Sequence, residues 1–175
     1  MNFPPEQAAK ELVHIPLPAD GELFQLTLDG SKADPMAMVR EDGYDPNGWE
    51  FNGPALQGIQ TGQFKLVRLG AVTSLADARA KAHAMKCDLA EGQWREAFKA
   101  TYPHNDKGGP IAFAGETTEW VLPRSNRSFP VLDEDSEAWD SYLCWSDNDD
   151  GDDWRWLVRE QLISLPHLAR GFPCL

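Results

Sequence analysis

The sequence predicts an α+β fold: an antiparallel sheet, a helical hairpin packed on it and a tryptophan-rich C-terminal β-hairpin. Three observations predict it. Several short segments alternate apolar and polar residues with the period of two that a half-buried strand requires. The strong helix formers gather in two adjacent runs, near 74–85 and 91–100, instead of the regular strand-helix alternation of a parallel α/β fold. Five of the seven tryptophans lie between Trp120 and Trp156, within and beside short alternating runs. At 175 residues the chain has the length of one domain, and 1–175 is read as a single unit.

In order along the chain, residues 5–12 are helix formers behind a proline and predict a short helix that Pro16 and Pro18 stop. Glu22 to Leu28 alternates and predicts a strand with Phe24, Leu26 and Leu28 on one face. Asp29-Gly30 is a turn signal, and Met36 to Arg40 reads as the partner strand. Residues 41–62 predict an ordered loop pinned by Tyr44, Trp49 and Phe51. Phe64 to Gly70 is a further strand. Ser74 caps a helix running to Met85, with Asp77 three residues on completing a capping-box-like pair. A second helix from Glu91 to Ala100 places Trp94, Ala97 and Phe98 on one face and ends at Tyr102-Pro103. Short strands follow at 110–114 and 119–123, and Phe129 to Leu132 leads into the final hairpin.

That hairpin is expected to pair Ala138 to Trp145 with Trp154 to Arg159, antiparallel, around an exposed turn at 146–153 whose Asn, Asp and Gly residues tolerate left-handed backbone. A helix also fits the last run, through the stripe Trp154, Leu157, Val158, Leu162 and Leu165. The tail after Arg159 reads as irregular.

The strings FKLVRLG, GQWREAFKATYP, GPIAFA, FPVL and DDWRWLV, the last preceded by a W-x5-W spacing, resemble a pattern shared by a family of uncharacterised bacterial proteins, many of metagenomic or mobile-element origin. The resemblance spans roughly residues 33–159 and implies a common bacterial domain, with no activity attached to it. The helix followed by tryptophan-punctuated strands is also similar to the second half of C-type-lectin-like domains, whose diagnostic cysteines this chain lacks.

Charge is concentrated in one place. Ten carboxylates and no Lys or Arg lie between Asp133 and Asp153, against a net charge of −12 for the whole chain. This opposes binding to nucleic acid or anionic membrane and favours cationic partners. No apolar run has the length of a membrane span, and the N-terminus lacks the order of a signal peptide, so a cytoplasmic protein is expected. Cys87, Cys144 and Cys174 are too few and too scattered for a disulfide framework or paired zinc ligands. The sequence carries no HExxH, GxSxG or P-loop, and His14, His83, His104 and His167 stand apart from one another. An EF-hand aligned on Gly151 fails at Ser146 and Leu157. No catalytic residue, metal ligand or cofactor is therefore expected.

The function expected is a non-catalytic binding protein that docks a cationic protein or small molecule through Asp140, Trp145, Asp147, Asp149, Asp150, Asp152 and Trp154. One alternative is a hydrolase of a saccharide-like substrate using a pair among Asp133, Asp135, Glu137 and Asp140. Another is an acidic inhibitor of a basic nuclease. Exposed strand edges further suggest a homodimer.

Overall fold

A computed structural model describes residues 15–122, 126–135, 138–147 and 150–162. The helix expected at 5–12 and the irregular tail beyond 162 lie outside these residues. Nine strands form one mixed sheet among them: β1 (Phe24–Asp29), β2 (Glu50–Asn52), β3 (Ile59–Arg68), β4 (Cys87–Leu89), β5 (Ile111–Ala112), β6 (Glu119–Leu122), β7 (Asn126–Asp135), β8 (Ala138–Trp145) and β9 (Arg155–Glu160). Three helices accompany them: α1 (Pro35–Glu41), α2 (Leu75–Ala84) and α3 (Trp94–Thr101). The strand order is β1-β3-β9-β5-β7-β6-β2, with β4 also on β9 and β8 also on β7. Every pairing is antiparallel except β5 with β9, so the α+β class stands.

The centre of the sheet is buried on both faces, and β9 shows how. Leu157 packs with Phe64, Leu66, Trp94, Phe98 and Leu132 on one side. Trp156 and Val158 pack with Leu75, Ala78, Ala82, Phe129 and Val131 on the other. The first cluster holds α3 and the second holds α2, so the expected helical hairpin does not form. Between the helices the chain runs through β4, which pairs along β9 and carries it from one face to the other. α3 starts at Trp94, three residues after the expected Glu91, whereas α2 starts where its expected cap places it. The Ser74 hydroxyl accepts from Asp77 N at 3.2 Å, and the Asp77 carboxylate accepts from Thr73 N.

Two further expectations are corrected. Met36 to Arg40 is helical, because the Asp34 carboxylate accepts from Ala37 N at 2.8 Å and Pro35 occupies the first helical turn. The partner of β1 is instead β3, in register from Phe24↔Phe64 to Asp29↔Ile59. The aromatic pins of the 41–62 segment are present: Tyr44 meets Trp49 at 5.6 Å and Phe51 meets Trp120 at 4.8 Å. The segment also contributes β2 and the start of β3.

The C-terminal hairpin is the largest departure. Both strands exist, but β8 pairs with β7 from Ser128↔Trp145 to Asp135↔Ala138, while β9 lies between β3 and β5. Since β8 opposes β7, β7 opposes β5, and β5 parallels β9, the two strands point the same way. A tight turn cannot join parallel strands. The acidic segment 146–154 is therefore a crossover, held to the loop before α2 by the reciprocal Val72–Asp150 bridge and by Leu75 N donating to Ser146 O.

Candidate functional site

β8 owes its position to long pairing on one side and a buried anchor below. Ser141 Oγ donates to Asp42 Oδ1 at 2.9 Å, and Arg95 holds both oxygens of Asp42, at 2.6 and 2.9 Å, with the two side chains fully buried. No strand pairs with the other edge of β8 among the described residues.

Ser141, Leu132, Ile111 and Arg155 form one row across β8, β7, β5 and β9. In the next row, toward the same end of the sheet, come Asp140, Asp133 and Trp154. Asp133 and Asp140 are direct cross-strand partners. They lie on the α2 face, since Val131, Tyr142 and Cys144 at the alternate positions pack there. Trp154 packs on the same face, two strand spacings or about 10 Å from Asp133. Asp150, on the crossover, lies further along β8, with Oδ1 3.8 Å from the Sγ of Cys144, four residues on from Asp140.

Tyr142 reports the electrostatics of this corner. Burial, then the negative field of Asp133, with Cys144, Asp140 and Asp150 adding to it, pushes its phenol well above the ordinary range. Three carboxylates thus converge on one half-buried aromatic ring. Among the described residues, neither Asp133 nor Asp140 pairs with a Lys, Arg or His side chain. The corner is a concentration of negative charge beside aromatic surface, which is the chemistry that holds an ammonium or guanidinium group.

Of the residues expected to bind, Asp140 and Trp154 lie on this face at the same end of the sheet, Asp150 lies on it further along β8 against Cys144, and Asp152 is exposed on the crossover. Asp150 is buried rather than displayed on a turn, because its backbone is pinned to Val72. Trp145 is elsewhere: it points to the opposite face and stacks on Trp49 at 6.0 Å and 9°. Asp147 follows the far end of β8, seven residues along the chain from Asp140. Asp149 lies outside the described residues. Tyr142 and Asp133 belong to the site but not to the expected set, and the cross-strand register that brings them in cannot be read from spacing along the chain. The tryptophans divide as their burial dictates, with Trp94, Trp120 and Trp156 fully enclosed and Trp139, Trp145 and Trp154 half-buried.

A second group was invisible in the sequence. His83 Nε2, at the end of α2, lies 3.4 Å from Asp88 Oδ1 on β4 and 3.2 Å from Glu116 Oε2 in the loop after β5. The histidine that stands apart along the chain is therefore flanked by two carboxylates.

Comparison with protein-family models, with curated proteins and with solved structures finds no match to this chain.

Proposed function

We propose that this chain is a non-catalytic binding protein that docks a cationic protein partner on the corner formed by Asp133, Asp140, Tyr142, Asp150 and Trp154. The observation that carries the reading is the Asp133–Asp140 pair: two carboxylates face one another across β7 and β8, with no basic side chain of the described residues between them. A Lys or Arg from a partner relieves that repulsion and gains the aromatic surface beside it. The corner is open, with Asp140 exposed and Tyr142 and Trp154 half-buried. An open face suits a side chain delivered by another protein better than a small molecule, which needs enclosure. The same openness favours docking over hydrolysis, because a carboxylate pair that does chemistry has to be shielded from bulk water.

The unpaired edge of β8 extends the surface. A partner strand added there would find main-chain groups along its length and carboxylates near its end. For the expected homodimer, the candidate edges among the described residues include β1 and β8, each carrying one carboxylate, Asp29 and Asp140.

The test is calorimetric titration with an Arg- and Lys-rich peptide, comparing the parent with an Asp133→Asn/Asp140→Asn variant. Docking predicts binding to the parent that weakens as salt rises, and at least tenfold weaker binding to the variant. Equal binding to both, or binding insensitive to salt, would remove the reading.

A further inference from the structure

The group around His83 lies at the other end of the sheet from the acidic corner, since Asp88 pairs with Arg159 while the corner adjoins Trp154. We propose that His83, Asp88 and Glu116 form a binding site for one divalent transition-metal ion of the zinc type, with water completing its coordination.

The argument begins with distances. Zinc binds imidazole nitrogen and carboxylate oxygen at about 2.0–2.2 Å, so ligand atoms at two corners of its tetrahedron stand about 3.4 Å apart. His83 Nε2 stands 3.2 and 3.4 Å from the two carboxylate oxygens, and all three ligand atoms lie within 4.8 Å of one another. One nitrogen and two oxygens from three separate elements match the three-protein-ligand, open-position pattern of accessible zinc sites. The side chains are 47, 44 and 28 % exposed, which leaves a path for the ion and room for water.

The oxygens are held from outside the group. Glu116 Oε1 accepts from Leu89 N at 2.7 Å, which turns Oε2 toward the imidazole. Asp88 Oδ1 accepts from Gln161 Nε2 at 2.8 Å. Arg79, one helical turn before His83, donates through Nε and Nη2 to Gly115 O, both at 3.2 Å, and so ties α2 to the loop bearing Glu116. Gly115 has φ +72°, and a Cβ there would stand 2.4 Å from Thr118 Oγ1, so the loop keeps this course only with glycine. Partners of this kind orient ligands and raise metal affinity. Asp88 and Glu116 bring two carboxylates onto one imidazole nitrogen, and their negative charges repel until a positive charge is placed among them. A divalent ion supplies it.

Titration of the full chain with zinc chloride tests the site, with binding read by calorimetry and the ligand atoms read by X-ray absorption. The expected result is one equivalent bound, through one imidazole nitrogen and oxygens. His83→Ala and Glu116→Gln should each weaken binding at least tenfold. The Gln variant retains an acceptor for Leu89 N, and thermal melts without metal check that both variants fold. Asp147→Asn/Asp152→Asn/Asp153→Asn should bind as the parent does. Binding retained in His83→Ala, loss only in the triple Asn variant, sulfur in the coordination shell, or no heat at all would overturn the proposal.

Discussion

Asp133 and Asp140 occupy directly opposed positions on neighbouring strands, on the face where Tyr142 is half-buried between them and the core. Like charges so placed destabilise a sheet by several tenths of a kcal/mol. Replacing one of them should therefore make the protein more stable. Asp140→Asn is expected to gain about 0.5 kcal/mol in low-salt denaturant melts, with the gain shrinking as salt is added. A loss of stability would mean that the carboxylate serves the fold.

Tyr142 makes the same corner sensitive to alkali. Its pKa is raised in the folded state, first by burial and then by Asp133, so the folded protein retains the phenol proton when the unfolded chain has released it. Above the unfolded value of about 10 the unfolded state binds fewer protons, and stability falls with rising pH. Below that value its contribution is fully present. Tyr102 is shifted the same way by burial. Tyr142→Phe should flatten the decline above pH 10 without altering the neutral range, as followed by thermal melts across pH.

The anchor beneath β8 is a buried ion pair. Removing Asp42 would leave the enclosed Arg95 with Glu96 as its one remaining carboxylate among the described residues, and breaking a buried pair costs about 3–5 kcal/mol. Asp42→Ala is expected to lose that much in denaturant melts. Asp42→Asn, which keeps an acceptor for Ser141 and Arg95, should lose less. Because Ser141 shares the Asp42 oxygen, the Ala variant should also speed amide exchange along β8.

What the sequence disclosed was local. The alternation of β1, β8 and β9, the Ser74 cap and the amphipathic run of α3 each follow from neighbouring residues. Met36 to Arg40 misled because five residues fit either period, and the deciding information was the Asp34-Pro35 cap ahead of them. The crossover misled for a different reason. Nothing in DNDDGDD distinguishes a tight turn from a chain returning along the sheet; Val72, far back in the sequence, settles it by pairing with Asp150. The corner was half legible, since the density of acids was plain while the face each one occupies depends on the register of β7 with β8. The His83 group was not legible at all, because its ligands come from a helix, a three-residue strand and a loop.

Backbone amide shifts recorded while an Arg- and Lys-rich peptide is titrated into the labelled protein test the docking surface most directly. Docking on the acidic corner predicts saturating shifts at Asp133, Asp140, Tyr142, Asp150 and Trp154 that disappear in high salt, with Trp49 and Trp145 on the opposite face unmoved. Shifts centred on Trp49 and Trp145, or spread evenly over every exposed carboxylate without saturation, would contradict it.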